Sequence, residues 1–345
     1  MESLPKPKRW GGVLDLAVFG LTAWVLITGT PVGGLMVRGW AWALDRPPPR
    51  RDLASYFDIR SNQDQQLAAQ ILTPASDVTR DEAIKIGLPP ELSRAVTVLL
   101  AEGRASGDSL DVQLSPAAQA ELLAYGLTWP ADAAGRNQVT LELLSRLSTE
   151  LGGLEPAVAA LAVGKRPVQY AMSLADSARV RNPKQLEGFG EYLRGDLRSL
   201  ATPLVNGSFA LATAYNLVWP VAQDARVSSA FGERVHPTTG KKHLHSGVDL
   251  AVPSGTPVVA AAAGKVRYAT EDTINGKFVK LEHGYGLQTA YCHASEIEVK
   301  KGDAVAQGQR VMASGATGRV SGPHLHFQLE LDGQLLDPEL FRPRS

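Results

Sequence analysis

The run His324-Leu-His-Phe-Gln-Leu-Glu-Leu331 constrains this chain more than any other segment. Side chains alternate faces along an extended strand. His324, His326, Gln328 and Glu330 therefore share one face, and Leu325, Phe327, Leu329 and Leu331 the other. The apolar face has to pack into a core. The opposite face, with two imidazoles about 6–7 Å apart at Cα, has to line a groove. Short β-rich runs at 256–260, 264–268, 278–281 and 288–291, separated by Gly and Pro turns, supply partner strands. No stretch after residue 218 has helical periodicity, so this region reads as a compact antiparallel β domain.

More titratable groups gather in the same region. Of the 7 histidines, most fall in the last third of the chain. His245-Ser-Gly-Val-Asp249 and Tyr291-Cys-His293 join His324 and His326. Imidazoles and a carboxylate at short local spacing suit a catalytic zinc site, which takes three protein ligands and leaves one position open. Two same-face neighbours on a strand do not readily bind one ion, so one ligand plus one proton-transfer group is the economical reading of His324 and His326. On a helix, His245 and Asp249 would share a face. Gly247 and the following Leu-Ala-Val-Pro argue instead for a loop entering a strand, where a Gly turn lets both side chains converge. No His-Glu-x-x-His is present, which excludes a helical zincin. Tyr291 and His293 are expected to share a strand face. Cys292 is the only cysteine, so no internal disulfide or Cys-based zinc site exists, and it reads as a buried inert thiol.

The remaining two thirds is organised differently. Lys6, Lys8 and Arg9 within residues 1–12 precede an apolar run, 13–37, that carries one charge, Asp15. Such a run is long enough to span a bilayer, and the basic flank favours an N-terminus on the cytoplasmic side. A signal sequence cleaved near Ala41-Trp-Ala43 is the rival, and would leave a secreted protein. Residues 38–52 form a Pro-rich linker, and 53–215 read as a helical domain. Helix starts are expected near Asp81, at Pro90 and at Ser115-Pro116, with an Ala-rich stretch from Leu154 to Leu174 and an amphipathic one from Leu186 to Leu200. This Ala-rich, Tyr-containing region resembles lytic transglycosylases only faintly. Glu150 and Glu155 read as solvated surface groups, and Tyr170 and Tyr215 as packed. Lys plus Arg equals Asp plus Glu at 35 each, so nothing asks for nucleic acid.

The C-terminal motifs resemble the lysostaphin/LytM-type zinc metallopeptidases. The matching residues include Phe231-Gly-Glu-Arg234-Val-His236-Pro237, His245-Ser-Gly-Val-Asp249, Gly255-Thr-Pro-Val258, Tyr291-Cys-His293 and Gly315 through Phe327. The resemblance covers about 216–343 and every motif position is present, with Ala294 a mild departure after Tyr-x-His. It implies that His245, Asp249 and His326 bind one Zn2+ and that His293 and His324 are the catalytic pair, with the base among them undecided. It implies hydrolysis of peptide cross-links in peptidoglycan by zinc-activated water. Tyr291, Arg234 and His236 are candidate substrate contacts. His283 reads as structural. The alternatives are an inactive wall-binding or amidase-activating regulator, and a peptidase acting on Gly-rich proteins.

The expected architecture is an α+β multidomain chain: an N-terminal transmembrane helix, a helical middle region, and an antiparallel β-sheet metallopeptidase domain at 216–343. The expected place is the cytoplasmic membrane, single-pass, with the C-terminal domains outside the cytoplasm. An envelope protein is a candidate partner for the helical domain.

Overall fold

The computed structural model describes residues 78–101, 105–106, 109–235 and 242–343. The apolar run 13–37, the linker 38–52, the start of the helical region and His236 lie outside them. Among the described residues, no helix is long and apolar enough to cross a membrane.

The helical part opens with α1 (Val78–Lys85) and α2 (Pro90–Ala101). Pro90 stands at the first helical position, where a missing N–H sacrifices no bond. A two-stranded ribbon, β1 (Ala105–Ser106) and β2 (Ser109–Leu110), leads to α3 (Pro116–Ala124). Ser115 caps α3, its Oγ accepting from the Ala118 N–H at 3.1 Å. Then come α4 (Ala133–Leu151), α5 (Leu154–Val163) and α6 (Lys165–Ser177). Gly164, at φ 83°, breaks the Ala-rich stretch that reads as continuous in the sequence. The expected helix from Leu186 to Leu200 is also divided. It becomes a short α7 (Leu186–Phe189), a 3-10 turn (Gly190–Tyr192) and the start of α8 (Gly195–Tyr215). Phe189 and Leu193 both turn into the helical core there, and tertiary burial overrides local periodicity.

The β part contains β3 (Arg226–Ser229), β4 (Gly232–Val235), β5 (Lys242–His245), β6 (Val248–Ala251) and β7 (Pro257–Val259). It continues with β8 (Gly264–Asp272), β9 (Gly276–Glu282), β10 (Leu287–Ala294) and β11 (Glu296–Ile297). The last strands are β12 (Ala304–Val305), β13 (Arg310–Ala313), β14 (Leu325–Leu331) and β15 (Gln334–Leu336). The main sheet runs β12-β8-β9-β10-β14-β6-β3, with β15 on β14. All of its pairs are antiparallel. A small sheet, β11-β13-β7, and the hairpin β4-β5 flank it.

Two apolar clusters form. One lies within the helices, built on residues such as Leu141, Leu144, Leu147 and Phe189. The other joins the buried sheet face, with Leu325, Phe327 and Leu329, to Leu99 of α2 and to Leu211 and Ala214 of α8. Trp219 meets Phe327 edge-on at 5.6 Å, and Tyr291 lies 5.4 Å from the same ring. Helix α8 thus belongs to both cores, with Val205 in one and Leu211 in the other. The helices back the apolar face of the sheet, and the histidines lie on the other face.

Candidate metal centre

The alternation along β14 places its residues as the sequence predicts. Leu325, Phe327, Leu329 and Leu331 are each at most 1% exposed, whereas Gln328 and Glu330 are only half-buried on the other face. In register, His326 stands opposite Asp249 of β6 on one side and Cys292 of β10 on the other. Cross-strand partners share a face, so Asp249 and His326 are brought together by strand pairing alone. His245, at the end of β5, reaches the same point after a two-residue connection. Gly247 allows this because a Cβ there would collide with the Phe327 carbonyl and lie 3.0 Å from His326 Nε2. The glycine of the expected turn is needed for close approach to β14.

Three donor atoms converge. His245 Nε2 lies 3.1 Å from Asp249 Oδ1 and 3.1 Å from His326 Nδ1, and His326 Nδ1 lies 2.9 Å from Asp249 Oδ1. A tetrahedral ion with ligands at about 2.0–2.1 Å separates them by about 3.3 Å. The two imidazoles and one carboxylate therefore fit a metal ion, and they form the one candidate metal cluster found among the described residues. His245 Nδ1 lies 2.8 Å from the Ala230 carbonyl oxygen. A carbonyl only accepts, so Nδ1 carries the proton and the Nε2 lone pair faces the site. His326 is turned the other way, with Nε2 3.4 Å from Ser246 Oγ. Burial opposes ionisation of Asp249, but the adjoining His245 and His326 imidazoles outweigh it and hold the carboxyl well below the usual range.

His293 and His324 stand beside this triad. Their ring centroids are 4.8 Å apart, and His293 lies 6.1 Å from the His326 ring. His324 Nε2 is 3.7 Å from Asp249 Oδ1. His293 Nδ1 lies 2.9 Å from the Thr317 carbonyl oxygen, and His324 Nδ1 lies 2.9 Å from that of Gly322. By the same reasoning both rings carry their proton on Nδ1 when neutral, leaving Nε2 as a base. Burial pushes His293 down to about 4; the Thr317 carbonyl opposes this and the neighbouring His324 and His326 reinforce it. His293 is neutral at physiological pH.

Tyr291 and His293 do not share a face. The β9–β10 register shifts between Tyr291 and Ala294, and His293 sits at φ 68°. This bulge sends Tyr291 into the core, wholly buried, while His293 turns to the groove side. The Tyr291 hydroxyl accepts from the Ala261 N–H at 2.8 Å and lies 2.9 Å from Thr289 Oγ1, so it is not available to a substrate. Cys292 is buried, and burial pushes its thiol up to about 12, which keeps it protonated. Arg234 is half-buried, pairs with His243 across β4–β5 and donates to Ser229 Oγ. The side chain of His243 lies outside the described residues, as does His236. His283 is structural: its ring nitrogens contact the Ala263 carbonyl and Thr289 Oγ1.

The helical glutamates differ from the sequence expectation in one case. Glu150 is paired at the surface with Tyr125 and Lys165, whose hydrogen bonds hold its carboxyl below the usual range. A glycosidic acid needs the opposite shift. Glu155 is not a freely solvated group. It accepts from the Leu186 N–H and from the Tyr285 hydroxyl at 2.8 Å. Tyr215 is packed, whereas Tyr170 is 66% exposed.

The groups that sequence reasoning missed are backbone carbonyls, those of Ala230, Thr317 and Gly322. No residue type announces them.

Comparison with known proteins agrees with this geometry. Residues 243–338 match the model of Peptidase family M23. A Vibrio cholerae peptidoglycan DD-endopeptidase, ShyA, is 44% identical over 117 residues, which is 34% of this chain and 27% of that protein. An uncharacterized metalloprotease of Haemophilus influenzae is 43% identical over 122 residues, covering 35% of this chain and 26% of the relative. The chain thus spans about a quarter of the length of these curated relatives. A zinc-containing peptidase structure from Vibrio cholerae is 35% identical with a TM-score of 0.35, covering 37% of this chain and 40% of that one. Taken with the ligand geometry, the matched segment, residues 243–338, is a Peptidase family M23 domain.

Proposed function

We propose that this protein is a zinc metalloendopeptidase that hydrolyses the peptide cross-links of bacterial peptidoglycan. The observation that carries the reading is the convergence of His245 Nε2, Asp249 Oδ1 and His326 Nδ1 within 3.1 Å of one another, beside two further imidazoles. ShyA, named as a peptidoglycan DD-endopeptidase, supports the substrate class.

In this reading His245, Asp249 and His326 hold one Zn2+, and His293 and His324 carry the proton chemistry. Zinc bound there acts as a Lewis acid and lowers the pKa of its water to about 7. His293 Nε2 takes the proton of the attacking water, because the ring is neutral and its Nδ1–H is already committed to Thr317. His324, its Nδ1–H held on the Gly322 carbonyl, stabilises the developing oxyanion. The half-buried polar face of β14, β10 and β9, including Gln328 and the Lys280–Glu330 pair at 2.8 Å, forms the floor on which an extended peptide lies.

The basic flank and apolar run at 13–37 support an anchor in the cytoplasmic membrane, with the peptidase outside the cytoplasm. The helical region then acts as a spacer or docking domain for an envelope protein. Purified full-length protein loaded with zinc, incubated with cross-linked muropeptides and read by mass spectrometry, tests the enzyme reading. New amino groups at the cross-link are expected. Zinc-bound protein that leaves the cross-links intact would identify a wall-binding module instead.

A further inference from the structure

His293 is the one histidine of the site with a left-handed backbone, φ 68°, a conformation that a non-glycine residue keeps only where its surroundings impose it. The surroundings come from two loops distant in sequence. The β8–β9 tip offers the Asn275 carbonyl, which accepts the His293 backbone N–H at 2.9 Å. The 315–322 loop offers the Thr317 carbonyl, which accepts the ring Nδ1–H at 2.9 Å. Backbone and side chain of one residue are therefore gripped from two sides.

The two loops are also fastened to each other. The Arg319 N–H donates to the Ile274 carbonyl at 3.0 Å. Thr317 Oγ1 accepts from the Lys277 N–H at 3.0 Å and donates to the Ala294 carbonyl at 2.8 Å. Gly276 and Gly318, both at positive φ, let the backbones meet where a Cβ on either would collide with the other loop. The tip itself is organised by one side chain. Asp272 Oδ1 accepts from the Ile274 N–H at 2.8 Å and the Asn275 N–H at 2.6 Å, and Oδ2 accepts from Asn275 Nδ2 at 2.8 Å. Such a carboxylate at the first position of a tight turn fixes the peptide planes that follow it. The bonds from Asn275, backbone and then side chain, hold the Asp272 carboxyl below its usual range, so it is ionised at neutral pH.

We propose that Asp272 is a positioning residue for His293: it locks the β8–β9 tip so that the Asn275 carbonyl, with that of Thr317, holds the imidazole with Nε2 toward the ligand triad. The inference rests on the peptidase reading above, in which His293 moves a proton. Asp272 is not one of the three clustered ligands; it acts through the tip.

The test uses zinc-loaded full-length protein as wild type, D272A and D272N. Four quantities are measured: kcat and KM on cross-linked muropeptides, zinc per chain, and amide hydrogen exchange at His293 against the other β10 amides. D272A is expected to lower kcat tenfold or more, with KM within threefold and one zinc per chain. Its His293 amide should exchange at least tenfold faster while the rest of β10 is unchanged. D272N keeps an Oδ1 acceptor for both N–H groups and should recover kcat to within threefold. The proposal is overturned by a D272A kcat within twofold of wild type, by a loss carried in KM, by loss of zinc, or by D272N failing with normal exchange. T317V, which breaks the Oγ1 bonds of the second loop, carries the same expectations should D272A not fold. If wild type itself cleaves nothing, the peptidase reading falls, while the exchange comparison still judges the clamp.

Discussion

At the scale of single residues, the site separates ligands from proton carriers, and substitution should do the same. D249A or H326A removes a donor atom from the triad and is expected to bring zinc per chain close to zero by elemental analysis. H293A leaves all three donors in place. It should retain zinc while kcat falls about 10²–10⁴-fold, the range for loss of a general base. An H293A variant that lost its zinc would place His293 among the ligands. Gly247 makes a sharper test of why the motif contains glycine. G247A forces a Cβ against the Phe327 carbonyl and the His326 ring. A destabilisation of about 1–3 kcal/mol with weakened zinc binding is expected from denaturant melts and metal titration. Wild-type stability in that variant would contradict the close-approach argument. These residues were legible in the sequence because alternation on β14 and the spacing from His245 to Asp249 are local patterns. The tautomers were not, since they depend on carbonyls of Ala230, Thr317 and Gly322 that any residue type would supply.

At the scale of elements, β10 shows where alternation stops working. The pattern Tyr291-Cys-His293 predicts Tyr291 and His293 on one face. The bulge puts them on opposite sides, because His293 is pulled into a left-handed turn by bonds to two other loops. The neighbouring β9–β10 turn carries a polar chain that links His283 to the strand. The Ala263 carbonyl, His283, Thr289 Oγ1, Tyr291 Oη and the Ala261 N–H lie in sequence at 2.8–2.9 Å. Burial holds His283 below its ordinary pKa, with the Ala263 carbonyl opposing. A His depressed on folding is neutral when folded and charges more readily when unfolded. Its contribution to stability is therefore complete above the unfolded value of about 6.5 and is lost as pH falls toward the lower folded value. Thermal melts from pH 7.5 to pH 5 should show a declining midpoint. H283N should be less stable at pH 7.5 but fall less steeply, and an unchanged slope would remove His283 from the explanation.

At the scale of the whole molecule, the helices and the sheet share a core through α8, and a polar latch closes the seam. Tyr285, at φ 51°, stacks on Phe209 at 5.0 Å and donates its hydroxyl to Glu155. Y285F keeps the stacking and loses the hydrogen bond, which is worth about 1 kcal/mol. A fall in melting temperature of about 2 °C is expected, with muropeptide cleavage within twofold of wild type, because the latch lies behind the sheet and not in the groove. A large loss of cleavage would show that the helices act on the site. Helix starts at Pro90 and Ser115-Pro116 were visible in sequence, since proline and a hydroxyl cap act within one turn. The breaks at Gly164 and around Leu193 were not, because partners far along the chain decide them.

By itself, the sequence determined the two-faced strand at 324–331, the two imidazoles and the carboxylate fit to hold an ion, and the passage from helix to antiparallel sheet near residue 218. All of these are periodicities or side-chain identities, which a string of residues records directly. Only the tertiary structure decided that Tyr291 is core, which nitrogen of each imidazole faces the site, and that the Asn275 and Thr317 carbonyls hold the backbone and ring of His293. Those outcomes are set by backbone carbonyls and by a strained φ that distant hydrogen bonds sustain, and neither leaves a mark on residue identity.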